Sequence, residues 1–311
     1  MIDAILWLLQ NMAMGFVNFF TILFNPATWP NFGDNEWLIK FIYYGASREF
    51  FFILFDLFLV LLVIGLFKRN ILWGFVRGAE AINNTIGRMA AWAVLLMVLQ
   101  QTLIVALQRI FRVSEITISP FGYGFTKDVS WYAEELKLYN AMIVALCVGY
   151  TFIQGGHVRV DLIYSSISFR AKRIIDMIGS LIFMIPFVSI IWLYGWFFMW
   201  RHIVRPPLAS NYDLDRMLRV SKALKWDVET IGFSPNGFNG YFLFKILLVM
   251  FAVLVFLQAI SFFYRSLLEF LEGPDSADKY LDLDTERERL AMKKYAEKYE
   301  MLTGKPYSAS N

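Results

Sequence analysis

The chain has 311 residues, is 58% hydrophobic and 18% aromatic, and has a mean hydropathy of +0.51, whereas soluble domains are about 45–50% apolar, so an ordinary soluble globule is excluded. The net charge of +3 and pI near 8.8 come from bases scattered over several loops, which suits lipid headgroups and argues against a nucleic-acid partner. Its apolar runs are uninterrupted rather than alternating, so a transmembrane barrel is excluded and an all-α membrane protein is predicted.

Six windows approach the ~20 residues that a helix needs to cross a bilayer: Ala4–Phe24, Phe50–Phe67, Met89–Leu107, Leu138–Ile153, Met177–Trp200 and Tyr241–Tyr264. The first has no Lys or Arg ahead of its apolar part and exceeds the ~7–15 apolar residues of a signal peptide, so it reads as a retained helix, spanning or interfacial. Asn25–Glu49 has the loop chemistry of Pro26, Pro30 and Gly33, with Trp29 and Trp37 at a membrane edge. Lys68-Arg69-Asn70 stops the second window, and a polar link through Arg77, Glu80 and Arg88 leads to the third. The fourth is short and is expected to borrow its start from Trp131–Lys137. Gly155-Gly156 then ends that helix, and Asp161 opens a short amphipathic connector with Val160, Ile163 and Ile167 on one face and Arg170, Lys172 and Arg173 at its basic end. The longest connection, Arg201–Gly240, carries a predicted short helix around Leu214–Trp226. Past Arg265 the chain turns polar, and Asp278–Tyr299 reads as a solvated charged helix, with partner binding as the alternative. The expected division is an N-terminal extension over 1–83 with two membrane helices, a four-helix core over 84–270 that includes the outer loop 201–240, and a charged tail over 271–311. Lys and Arg favour both termini on the cytoplasmic side.

Few residues carry candidate chemistry. A bis-histidine haem needs two facing imidazoles, but His157 and His202 fall at loop edges on opposite sides of the membrane. Cys147 reads as a small buried hydrophobe. No hydrolase, metal or phosphate-loop motif is present. Glu134 and Glu135 are adjacent, and adjacent helical residues do not face each other; they suit the start of a helix, with Trp131 as interfacial anchor. Asp56 and Lys245 lie inside windows at similar depth, which points to a structural pair, or to Lys245 snorkelling outward while Asp56 faces a partner, rather than to an ion pathway. There is no internal repeat and no pair of broken helices such as a self-sufficient transporter shows.

In series, Ile86–Trp92, Gln108–Phe111, Trp131–Leu136, Gly156–Tyr164, Leu181–Phe187, and Lys245 followed by Leu257-Gln258 resemble the DctQ family, the small membrane subunit of tripartite ATP-independent periplasmic (TRAP) transporters. The resemblance covers Asn84 to Leu268, and Gly156-His157-Val158-Arg159-Val160-Asp161-Leu162 is its most specific piece. It implies a non-catalytic, cofactor-free four-helix scaffold of the inner membrane. Such a subunit clamps a large membrane subunit that carries the substrate and ion sites, and a periplasmic solute-binding protein feeds the complex with organic acids or related solutes. Arg88, Trp92, Arg109, Trp131, Glu134, Glu135, Gly156, His157, Arg159, Asp161 and Lys245 are then structural or interface positions. In the enlarged outer loop, Arg216, Arg219 and Lys222 are a candidate dock for the binding protein. The rival reading is a membrane-anchor subunit of a redox enzyme complex, and a third is a free-standing channel, for which no polar pore helix is evident.

Overall fold

The computed structural model describes residues 2–118, 122, 124–155, 167–232, 234–277, 279–287, 289, 290 and 293. Among them the architecture is all-α, with two short antiparallel strand pairs outside the helical bundle. Five helical stretches are long and apolar enough to cross a membrane: Ile5–Phe24, Arg48–Phe67, Arg69–Ile110, Phe169–Trp200 and Tyr241–Glu272.

Helix α1 (Ile2–Phe24) packs mainly on α3 (Arg48–Phe67) and is otherwise largely exposed. Between them the expected loop contains a further helix, α2 (Asn35–Gly45). Asp34 caps it by accepting the Glu36 N–H at 2.9 Å, which satisfies an orphan donor of the first turn. Its Leu38, Ile39 and Ile42 are fully buried.

The polar link expected before the third window is also helical. One helix, α4, runs over Arg69–Val105, 37 residues, or about 55 Å at 1.5 Å per residue, well beyond ~30 Å of hydrocarbon. Leu72 and Val76, one turn apart, bury against Tyr264 and Leu268, so packing rather than lipid holds this first part helical. After a wide turn at Ala106–Ile110, β1 (Glu115–Ile118) pairs antiparallel with β2 (Phe125–Asp128), Glu115 opposite Asp128. The fourth window starts early, as α5 (Val129–Leu146), breaks at Cys147, and ends as α6 (Val148–Ile153). Gly155, at φ +72°, turns the chain away, a conformation that costs glycine little.

Helix α7 (Phe169–Gly179) runs through a wide turn at Ser180–Met184 into α8 (Ile185–Trp200). Pro186 has no N–H to give the preceding turn, which is where such wide turns form. In the outer loop the predicted helix is shorter: α9 covers Leu214–Val220, a 3₁₀ turn covers Ser221–Ala223, and β4 (Lys225–Trp226) pairs with β3 (Val204–Arg205). Helix α10 (Tyr241–Glu272) is the central rod, packed on α4, α5, α6, α7 and α8, and it stops at Gly273, φ +91°. The bundle therefore has a loop end, carrying β1–β2 and residues 201–240, and a tail end, where α4 begins and α6 and α10 finish.

Candidate functional site

The tail end holds the densest polar chemistry, organised by a close crossing of α4 and α6. A Cβ at Gly87 would overlap the Tyr150 side chain, and one at Gly149 would overlap Asn83, so glycine on each helix lets the two backbones meet. That contact sets four side chains around one cleft: Asn84 and Arg88 from α4, Tyr150 from α6, and Gln154, which caps α6. They hold Asp282 and Asp284 of the tail, with Arg88 Nη1 3.0 Å from Asp282 and Nη2 2.6 Å from Asp284. Tyr150 donates its hydroxyl to Asp284. Partial burial pushes the Asp282 carboxyl upward, but hydrogen bonds from Arg287 and Arg88 outweigh it and leave the group below the usual carboxylate range. The Tyr150 hydroxyl, ahead of opposing burial, and then Arg88 do the same for Asp284.

Beside the cleft lies a buried charge network. Arg265 is 7% exposed and grips Glu80, 3% exposed, through two bonds of 2.8 and 2.6 Å. Its remaining nitrogen donates to the Lys279 carbonyl at 2.9 Å, and Glu269 lies 3.6 Å away. Arg173 of α7 reaches Glu269 at 2.6 Å and Asp176 at 3.2 Å. Three helices, α4, α7 and α10, are thereby joined by charges that would be costly to bury singly. Sequence reasoning missed this network. The available signal was Glu80 itself, which continues the apolar row Leu72, Val76 by one further turn.

At the loop end Glu134 and Glu135 point apart, as adjacent helical residues must. Glu134 accepts the Phe238 N–H at 3.0 Å, while Glu135 accepts from the Gln100 amide at 3.1 Å. They tie α5 to the outer loop and to α4, a more specific role than favouring a helix start. Trp131 stacks edge-on with Phe125, Tyr132 and Phe238. His202 is engaged by Glu229 at 3.1 Å and the Phe198 carbonyl at 2.7 Å.

The two charges inside spans do not meet. Both oxygens of Asp56, 2% exposed, are buried with no hydrogen-bond partner among the described residues, facing Gly15 of α1, where a side chain would overlap them. Lys245, 4% exposed, sits over the rings of Tyr241 and Phe198 at 4.5 and 4.8 Å. The direct pair is therefore not formed. The reason is packing: α1 covers Asp56, while Lys245 faces α8.

Trp92 is 68% exposed on α4, and Arg109 is exposed in the wide turn at Ala106–Ile110. Arg216, Arg219 and Lys222 are exposed around α9, Arg216 lying 3.9 Å above the Tyr212 ring. Gly156, His157, Arg159 and Asp161, and with them the connector predicted after Gly155, lie outside the described residues.

Residues 122–210 match the family described as tripartite ATP-independent periplasmic transporters, DctQ component. The matched segment runs from the β1–β2 hairpin through α5, α6, α7 and α8 into the outer loop, and contains Trp131–Leu136, Gly156–Tyr164 and Leu181–Phe187. The motif pieces before residue 122 and after residue 210 fall outside it. Neither the curated proteins nor the solved structures compared with the chain gave a match.

Proposed function

We propose that this chain is the small, non-catalytic membrane subunit of a TRAP-type secondary transporter, a fixed wall against which a large membrane subunit moves. The observation that carries this reading is the DctQ match over residues 122–210. The physical character of the chain agrees with it. At the tail end Arg88, Arg173 and Arg265 are ion-paired, and two outward faces are long and predominantly apolar. On α4, Met89, Trp92, Leu96, Leu99 and Leu103 follow i, i+3, i+7 spacing and are each at least half exposed. On the α7–α8 rod, Phe183, Phe187, Ile190 and Tyr194 do the same.

In this reading the α4 face seats the large subunit, held by packing because lipid gives little hydrophobic drive between helices. The tail end is cytoplasmic and the loop end periplasmic. Arg216, Arg219 and Lys222 then face a periplasmic solute-binding protein, where rim charges govern encounter more than final affinity. An ion gradient drives import of a small organic acid or related solute through the partner.

Reconstitution tests this. Liposomes holding this chain alone, the large subunit alone, or both are supplied with binding protein, solute and a sodium gradient. Uptake is expected only when both are present. Uptake by this chain alone would refute the reading, and full uptake by the large subunit alone would make the wall dispensable.

A further inference from the structure

We propose that the crossing of α4 and α6 is a peptide-recognition site for an Asp-x-Asp segment at the entry to a helix, and that the chain's own residues 282–284 are its resident ligand. The tail is then a strap with a defined lock, which leads into helical residues 284–287, 289 and 290, all but Asp284 exposed.

The site reads main chain as well as side chains. Gln154 donates Nε2 to the Asp282 carbonyl at 3.0 Å and accepts the Asp284 N–H at 2.9 Å through Oε1. One amide thus spans a residue and pairs with the peptide much as a neighbouring strand would. Asn84, fully buried, donates to the same Asp282 carbonyl at 3.0 Å. The carboxylates are read separately: Arg88 puts one nitrogen on each, adding Nε to Asp284 at 2.9 Å, and Tyr150 takes the other oxygen of Asp284. A forked guanidinium fits two carboxylates two residues apart in a way that a point charge does not.

The receptor half is built independently of the tail. Asn84 and Arg88 are one turn apart on α4, Tyr150 of α6 lies one turn from Gln154, the residue that caps that helix, and the Gly87 and Gly149 contacts fix the crossing that makes them converge. Among the described residues Asp282 and Asp284 are the only carboxylates that ion-pair with Arg88. Flanking contacts align the strap: the Tyr280 ring meets Trp73 edge-on at 5.5 Å beneath Arg77, and Arg265 holds the Lys279 carbonyl. Only a short connection separates Glu272, the end of α10, from Asp282. The tethered ligand is therefore present at a high effective concentration, of millimolar order for short linkers.

The test uses the full chain and a chain ending at Ala277, both in nanodiscs, with a fluorescent peptide of residues 279–287 followed by anisotropy. The truncated chain is expected to bind the peptide saturably. The full chain should bind it at least about 100-fold more weakly, because its own tail competes. A peptide with Asp282→Asn and Asp284→Asn, or a truncated chain with Arg88→Gln, should lose at least about tenfold, the cost of charge-assisted bonds. Equal binding to both chains, or indifference to the two aspartates, would overturn the proposal. Should truncation prevent folding, Leu283→Cys in the full chain provides the second measurement. Its maleimide labelling in inside-out membranes should accelerate at least about tenfold with Arg88→Gln, and an unchanged rate would overturn the lock. A dimer that truncation dissolves would assign the occupant to a second copy and overturn the intrachain assignment.

Discussion

Replacing Glu80 by Leu removes both oxygens from a guanidinium that is 7% exposed and already committed to Glu80 by bonds of 2.8 and 2.6 Å. The Arg265 charge cannot move to water, and its neighbour Glu269 is shared with Arg173. Removing one partner of a buried pair costs about 3–5 kcal/mol, which at about 2–4 °C per kcal/mol for chains of 150–250 residues is a fall in thermal midpoint on the order of 10 °C. Arg265→Met should cost a similar amount, by stranding Glu80. The double variant, Glu80→Leu with Arg265→Met, removes both desolvation penalties and should regain at least half of either loss. Thermal unfolding in mild detergent, followed by size-exclusion of the remaining folded fraction, gives all three values as a double-mutant cycle. Losses that simply add in the double variant would refute the reasoning, because they would mean that the two side chains act through separate contacts.

The remaining predictions test other joints of the structure. Gly87→Leu should destabilise by about 1–3 kcal/mol as overpacking does, whereas Gly78→Ala, on an open helix face, should stabilise by several tenths of a kcal/mol or more through helix propensity; thermal unfolding of both variants tells close approach from propensity. Asp282 and Asp284 have carboxyls held below the usual range, so their contribution is complete above the ordinary Asp value of about 3.9 and is lost as pH falls through the lowered folded values. Affinity of the 279–287 peptide for the truncated chain should accordingly be flat from pH 7 to pH 5 and decline only below about pH 4. Ile42→Ala empties a fully buried site at a cost of about 2–5 kcal/mol and should speed limited proteolysis within residues 201–240; an unchanged rate would separate α2 from the loop.

Composition and hydropathy made the helical class and most of the apolar windows legible, because a span needs only length and apolarity. Three parts were not legible, each for a physical reason. Helix α2 is too short to announce itself as a span, and its start at Asp34 follows Pro30 and Gly33, which read as loop. The first half of α4 looked like a polar link because half of a surface helix is polar; its buried half becomes visible only against Tyr264 and Leu268. The Asp282-x-Asp284 lock depends on a crossing that joins residues about 60 or more apart in sequence, as the Cys147 thiol on the Gly87 carbonyl also shows, 60 residues away. Arg88 and the Glu134–Glu135 pair were singled out from motif order, yet their partners, Asp282, Asp284, Phe238 and Gln100, come from other elements that a local pattern cannot supply. Of the two readings open for Asp56 and Lys245, the direct pair is not formed for the converse reason: similar depth in two windows says nothing about which helices face each other.

The N-terminal helix α2 and the last part of the outer loop both lie outside the segment that matches the DctQ component, and the structure makes them one unit. Leu38, Ile39 and Ile42 of α2 share a buried cluster with Met217 and Leu224 of the loop and with Trp196, Met199 and Trp200 of α8. Asn35 donates its amide to the Ser221 and Leu224 carbonyls, each at 3.0 Å, capping the 3₁₀ turn that closes α9. From the other side, Trp192 and Trp196 donate to the Gly45 and Ile42 carbonyls at 2.7 and 2.8 Å, satisfying acceptors at the end of α2 that have no partner within the helix. Neither addition could stand alone. A loop carrying Met217 and Leu224 would expose them to water without α2, and α2 without the loop would lose both its apolar cover and the carbonyls that hold Asn35. Such mutual dependence means that the two additions form a single cap over the loop end of α8, anchored by tryptophans that belong to the matched segment.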